Sequence, residues 1–328
     1  MAGSPLRPVV ELAELSAWCV SRLGAPVADT VFESGFLSAV WGLRLADGRT
    51  VVVKVRPAAP RLAGCFAVHR RLWQAGLPCP EPLVGPEPLV GPEPLIGPEP
   101  FGGHAATAET LLPGSGTPGC GAEFAQASAA ALARLVSLAP RPDVVPSLWP
   151  SPGFVGWDHD QPGLWPTPAD GEPDLNAFGQ PEWLDRVAAA VRDRLAACRR
   201  PPLIGHGDWV NGNLVWDDCR LLAVHDWDSV ICQPEPAIAG LAAATYLGLG
   251  GPQGHATVEQ SASFLDAYVR CRGLEWTAAD REAAWAAGLW VRAFDAKDTA
   301  QHGDPDAVLT RAEARARLEL AGLPPELC

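Results

Sequence analysis

Three side chains in one short stretch of this chain could together handle a metal ion and a proton. In His206-Gly207-Asp208-Trp209-Val210-Asn211-Gly212-Asn213, Asp208 and Asn213 lie five residues apart across a loop that contains Gly212. Asp226 follows thirteen residues after Asn213, within Val224-His225-Asp226-Trp227-Asp228. A gap of that length fits a short β-hairpin that folds Asp226 back beside the other two. Transfer of a γ-phosphoryl group needs one carboxylate near the acceptor hydroxyl, and oxygen ligands for Mg2+ from further side chains. The bland alternative is an Asx-rich turn beside a hairpin, but both halves in this order and at this spacing favour phosphotransfer.

A cation for the phosphates has one obvious source. The chain contains only two lysines, Lys54 and Lys297, against a background of many arginines. A lysine in such a background matters where a compact point charge must reach a phosphate from a strand. Lys54 lies near the end of Thr50-Val51-Val52-Val53-Lys54-Val55, a β-branched strand that follows the hairpin signal Ala46-Asp47-Gly48-Arg49.

The pattern H-G-D-x(4)-N with a later hydrophobic-x-D-W-[DE] resembles the aminoglycoside phosphotransferase and choline kinase-like family, which shares the protein-kinase fold. The resemblance covers most of residues 25 to 300 and is sharp at Lys54 and over 206 to 228. It implies that Asp208 accepts or orients the proton of the acceptor hydroxyl, that Asn213 and Asp226 hold Mg2+, and that Lys54 contacts the α- and β-phosphates of ATP. Glu33-Ser34-Gly35-Phe36-Leu37-Ser38 falls where the family's phosphate-covering loop would lie, which assigns Ser34, Gly35 and Ser38 to the nucleotide. Ala108-Glu109-Thr110-Leu111-Leu112-Pro113 resembles the hinge, which assigns the backbone of Glu109 and Leu111 to adenine. His206 is read as holding the backbone of the catalytic loop, and Asp228 either supports the metal ligand or caps the next turn.

Two departures from the family stand out. The helix after Lys54 reads Cys65-Phe66-Ala67-Val68-His69-Arg70-Arg71-Leu72, with no acid where relatives carry a Glu that pairs with the lysine. Either the pair is absent, or another carboxylate such as Glu33 replaces it, or His69 takes a different role. Past the metal-binding strand, Gly240 stands where the family's G-[DN]-P-x-x-D-L-A run has its Asp.

Composition limits the partners. The formal net charge of -13 over 328 residues argues against nucleic acid, whose binding depends on Lys and Arg at phosphates, and suits a cationic small molecule. Trp157-Asp158-His159-Asp160 with Asp170, Glu172 and Asp174, and Trp285, Trp290, Asp295 and Asp298 further on, form acidic aromatic clusters that would attract such an acceptor or simply pack the core. Nine scattered cysteines without a C-x-x-C pair indicate reduced thiols. No signal-type apolar core follows Met1, and no apolar run approaches the ~18 residues of a membrane span, so a cytoplasmic protein is expected.

The elements follow. Helices are expected over 9–22, 61–74, 123–137, 182–198, 236–247, 258–271, 278–298 and 305–320, with strands over 28–57 and 105–112. Between them Glu81-Pro82-Leu83-Val84-Gly85-Pro86 recurs twice more with one change and ends in a truncated Glu99-Pro100-Phe101. Pro twice per unit excludes a central strand, and the 81–100 stretch reads as a surface insertion made by copying one hexad. A β-rich start with a helical remainder gives an α+β, bilobal protein-kinase-like fold. The expected division is a nucleotide-binding lobe over 1–113 and a helical lobe with the catalytic and acceptor sites over 114–328. The expected activity is ATP-dependent phosphorylation of a hydroxyl on a small cationic molecule, of aminoglycoside-antibiotic type or a related metabolite. The alternatives are a kinase for an amino alcohol or sugar, and a nucleotide-binding pseudoenzyme.

Overall fold

In the computed structural model, residues 7–35, 37–83, 99–101, 104–112, 123–167, 174–248 and 254–328 are described. Phe36, the repeats between Leu83 and Glu99, the expected division at 113/114, Asp170 and Glu172 lie outside them. The chain divides into two compact units, residues 1–114 with 145–148, and residues 115–144 with 149–328.

The first unit is built on one antiparallel sheet. Its strands are β1 (Val27–Ser34), β2 (Ala39–Leu45), β3 (Thr50–Pro57), β4 (Glu99–Phe101) and β5 (His104–Thr110), in the order β1-β2-β3-β5-β4. Gly48, with φ +90°, closes the β2–β3 turn while Asp47 accepts from the Arg49 amide. Alternation along β3 sends Val51, Val53 and Val55 to one face. There they join Ala106 and Ala108 of β5 and Leu15, Trp18 and Cys19 of helix α1 (Leu12–Leu23) in one core. The opposite face carries Val52, Lys54 and Arg56 on β3 with Thr107 and Glu109 on β5. Helix α2 (Leu62–Gln74) follows, and the segment Val145–Leu148 lies so close to it that a Cβ on Gly64 would meet the Pro146 carbonyl at 2.5 Å.

Two short pieces of chain pair along the outer edge of β5. Pro82 bridges Glu109, Leu83 donates to the Ala108 carbonyl and Thr110 to that of Glu81, while Glu99 pairs with Ala106 further down the same strand. Both pieces therefore lie along the same edge of β5, an edge position at which proline is tolerated.

The second unit holds helices α3 (Phe124–Leu138), α4 (Glu182–Ala196), α5 (Glu235–Thr245), α6 (Val258–Arg272), α7 (Ala278–Thr299) and α8 (Arg311–Leu320). Two small antiparallel pairs accompany them, β6 (Pro202–His206) with β9 (Val230–Pro234), and β7 (Leu214–Asp217) with β8 (Arg220–Val224). Helix α7 is buried along most of its length and packs on α4, α5 and α8. Lys297, the second lysine, is fully buried on α7 and pairs with Asp185 of α4 at 2.8 Å, so its charge is spent on helix packing. The single helix expected over 305–320 is in fact a 3-10 turn at Pro305–Ala307 followed by α8. Thr310 starts the new helix by accepting from the Glu313 amide.

Candidate active site

The candidate residues Asp208, Asn213 and Asp226 are delivered by the two small sheets. β6 ends at His206, Gly207 donates to the Ser229 carbonyl at 2.7 Å, and the chain then turns away through Asp208. A Cβ on Gly207 would lie 2.9 Å from Ile231 and 3.1 Å from the Ser229 carbonyl, so the loop runs tightly against β9. A 3-10 turn at Asn211–Asn213 leads into the β7–β8 hairpin, and the His225 amide donates to the Asn213 carbonyl at 2.8 Å on the way back. The hairpin expected from the spacing is present, and it returns the chain to Asp226 beside the loop.

Asp208 and Asn213 meet directly. The Asn213 Nδ2 donates to Asp208 Oδ2 at 2.7 Å and to the Asp208 carbonyl at 3.0 Å. That orientation keeps the Asn213 amide oxygen available to a cation. Asp208 Oδ1 is buried and has no hydrogen-bond partner among the described residues. Burial pushes the Asp208 carboxyl above its usual range. The charges of Asp226 and Asp295 add to this, while His206 and the Asn213 bond oppose it. A half-buried acid with one oxygen fixed and the other unsatisfied is suited to receive a hydroxyl.

Asp226 adopts a left-handed backbone, φ 64° and ψ 54°, a conformation that Asp enters more readily than most residues. Its Oδ2 accepts from the Ser229 hydroxyl at 3.2 Å. Among the described residues no group of three or more His, Cys, Asp or Glu could hold a metal ion. One carboxylate and one amide oxygen are nonetheless a fitting protein donor set for Mg2+, which takes few protein oxygens and keeps water and phosphate for the rest.

His206 is a scaffold residue, as the sequence implied. It is 1 % exposed, its Nε2 donates to the His225 carbonyl at 3.0 Å, and the rings of Trp209 and Trp227 stand edge-on to it at 5.9 and 5.8 Å. Burial holds its imidazole below the usual value, in the neutral form that keeps this bond. Trp209 in turn donates to Ser128 of α3 at 3.0 Å. Gln233, a residue the motif reading passed over, is buried on β9 and donates to the Val155 carbonyl at 2.9 Å and to Asp158 at 3.3 Å. It ties the loop before α4 to the strand that follows Asp226.

The tryptophans of the supposed acceptor clusters are core. Trp157, Trp285 and Trp290 are buried, with Trp290 packed on Trp165 at 5.3 Å. Asp295 is the acidic member whose charge reaches Asp208. Gly240 also has a packing cause. Its Cβ would fall 1.9 Å from the Ala284 carbonyl oxygen of α7, leaving no room for the family's Asp.

In the first unit, Ser34 ends β1, Ser38 precedes β2, and Gly35 between them has φ +103°. A Cβ there would lie 2.0 Å from the Ser38 carbonyl, so the turn needs glycine. Lys54 Nζ stands 3.6 Å from Glu109 Oε1, both side chains being largely buried. Glu33 is exposed and pairs instead with Arg7, and the His69 ring is bonded to the Pro80 carbonyl at 2.8 Å. The backbone groups expected at adenine are engaged within the sheet: the Leu111 amide donates to the Thr50 carbonyl at 3.1 Å, and Glu109 is paired with Val52 on one side and Pro82 on the other.

Three comparisons bear on this arrangement. The sequence profile of APH, the phosphotransferase enzyme family, matches residues 30–234. No curated protein matches the chain in sequence. Among solved structures, an amicoumacin kinase in complex with AMP-PNP and Ca2+ aligns with TM-score 0.56 at 13 % identity, over 89 % of this chain and 86 % of its own. An aminoglycoside phosphotransferase from Alicyclobacillus acidocaldarius aligns with TM-score 0.54 at 15 % identity, over 98 % and 97 %. A spectinomycin phosphotransferase in complex with ADP and spectinomycin aligns with TM-score 0.53 at 10 % identity, again over 98 % and 97 %.

Proposed function

Because the chain belongs to the phosphotransferase enzyme family and has its α+β, protein-kinase-like fold, we propose that it transfers the γ-phosphoryl group of ATP to a hydroxyl of a small cationic molecule. The observation that carries this reading is the Asp208–Asn213 pair, with one carboxylate oxygen fixed and the other buried and unsatisfied. Asp208 receives and orients the acceptor hydroxyl through Oδ1. Its position matters more than its basicity, since the loose transition state of phosphoryl transfer asks mainly for alignment. Asn213 and Asp226 hold Mg2+, which when bound spreads the charge on the phosphate oxygens. Lys54 places its ammonium at the α- and β-phosphates, and Ser34, Gly35 and Ser38 offer backbone and hydroxyl groups beside them. Past the end of β5, the chain at Leu111 leads to the adenine.

The acceptor class rests on charge. The chain's formal net charge of -13 and the carboxylates of Asp208, Asp226 and Asp295 favour a cationic acceptor. The amicoumacin and spectinomycin enzymes share the fold, and an aminoglycoside-type antibiotic or a related amino-alcohol or sugar metabolite fits the same site. Steady-state ATP turnover with Mg2+ across a panel of amino-hydroxyl compounds tests the proposal. Acceptor-dependent release of ADP is the expected result. Nucleotide binding without turnover on any compound would instead make the chain a pseudoenzyme.

A further inference from the structure

Orientation of a phosphate-binding lysine requires a counter-charge, and helix α2 contains no Asp or Glu from Leu62 to Gln74. The two substitutes visible in the sequence are engaged elsewhere, Glu33 with Arg7 and His69 with the Pro80 carbonyl. We propose that Glu109 of β5 is the positioning residue for Lys54, so that the ion pair is made across the sheet and not from the helix. This inference rests on the proposed role of Lys54 at the nucleotide phosphates.

The sheet register carries the argument. Lys54 is opposite Thr107 and Glu109 is opposite Val52, so Lys54 and Glu109 are diagonal neighbours on the face away from α1. Diagonal neighbours on one face lie within reach of long side chains. The measured separation is 3.6 Å, with the lysine side chain 11 % and the glutamate side chain 10 % exposed. A pair so far removed from water is weakly screened and holds its geometry better than a surface pair. The next cation along the face, Arg56, is bonded to the Thr107 hydroxyl at 3.3 Å, which fixes the side chain between the two rows.

Glu109 is also held in place by its own backbone neighbours. It is bridged by Val52 on one side and Pro82 on the other, with Leu83 and Thr110 bonding across that second edge. Strand β5 is thus interior at this point, and the carboxylate is presented from a rigid site. The buried Cys79 thiol, pushed up to about 12 by burial and then by the Glu109 charge, reports the same carboxylate from the other direction. An acid on a sheet strand would keep Lys54 oriented whatever α2 does, whereas a helix-borne acid ties that orientation to the helix position.

A double-mutant cycle on nucleotide binding tests the assignment without needing the acceptor. Calorimetric titration with MgATP and with adenosine is applied to the full chain, Lys54→Met, Glu109→Gln, Glu109→Asp and the Lys54→Met/Glu109→Gln double variant. Lys54→Met should weaken MgATP by about tenfold or more and leave adenosine within about twofold. Glu109→Gln should weaken MgATP by about three- to tenfold, Glu109→Asp by less, and Glu109→Gln should add nothing once Lys54 is gone. Independent, additive losses would overturn the inference, as would a Glu109→Gln variant that folds and binds MgATP like the parent. Should Glu109→Gln fail to fold, Glu109→Asp in the parent and in Lys54→Met supplies the same cycle. If Lys54→Met itself binds MgATP normally, the phosphate-lysine reading fails and takes this inference with it.

Discussion

Restoring the family's Asp at position 240 should damage this protein. Gly240 lies on α5, and a Cβ there would sit 1.9 Å from the Ala284 carbonyl oxygen, 2.6 Å from its carbon and 2.8 Å from its Cα, all backbone of α7. The contact is reciprocal, since a Cβ on Gly288 of α7 would lie 2.8 Å from the Gly240 carbonyl oxygen. No side chain can rotate away, so Gly240→Asp must drive the helices apart. Overpacking of this kind costs about 1–3 kcal/mol. A polar group buried there without a prepared partner adds about 1–3 kcal/mol, and the better helix propensity returns only a few tenths. The net expectation is about 3–5 kcal/mol, or a fall in Tm of roughly 6–20 °C for a unit of this size. Gly240→Ala, free of the polar term and gaining about 1 kcal/mol in propensity, should lose about 2 kcal/mol at most. Because α5 begins directly after β9, displacing it also disturbs the strand behind Asp226 and should lower turnover. Urea unfolding followed by tryptophan fluorescence measures the loss. A Gly240→Asp variant as stable and active as the parent would refute the reasoning.

Three further outcomes follow from the structure. Deleting Glu87 to Pro98 removes two hexads and leaves a connection close to the direct register between Leu83 and Glu99. Stability should change by about 1 kcal/mol or less and turnover little, and a large loss in either would show that the repeats contribute to the site. Asp280 closes the capping box at the start of α7 and pairs with Arg200 at 2.6 Å, which hold its carboxyl well below the usual range. A depressed acid stabilises above its unfolded pKa and loses that stability as pH falls toward the folded value. Asp280→Asn should therefore cost about 1 kcal/mol at pH 7 and progressively less below about pH 4 in urea titrations, and a pH-independent cost would contradict the assignment. Gly35→Ala puts a Cβ 2.0 Å from the Ser38 carbonyl in a positive-φ turn and should raise the ATP KM several-fold, or about 1 kcal/mol in binding, with kcat less affected. An unchanged KM would remove the 34–38 turn from the nucleotide site.

Much of the candidate site's local geometry was legible because its signals are local. The separation of Asp208, Asn213 and Asp226 encodes a loop and a two-stranded hairpin, and β7 and β8 realise that geometry within the same stretch of sequence. Lys54 announced itself as a lone lysine on a β-branched strand. Glu109 was read for its backbone at the hinge, because the side-chain partnership depends on β3 pairing with β5 across the intervening helix and repeats. The same limit applies to Gly240, where the departure from the family is visible in sequence but its cause is the approach of α7, some forty residues later. Gln233 gave no signal at all, since its partners Val155 and Asp158 lie far upstream in an irregular loop. At the other extreme, the start of α8 turned on Thr310, a local cap obscured by the apolar spacing that runs through 305–320.

Asp208 is the residue on which the proposed transfer depends most directly. The direct measurement is transfer of labelled γ-phosphate from MgATP to the most active compound of an amino-hydroxyl panel, comparing the parent with Asp208→Ala, alongside MgATP affinity by calorimetry. Loss of the orienting carboxylate should lower kcat by about 10²- to 10⁴-fold while MgATP affinity stays within about threefold. An Asp208→Ala variant that transfers phosphate at the parent's rate would contradict the account, as would a parent that transfers phosphate to no compound.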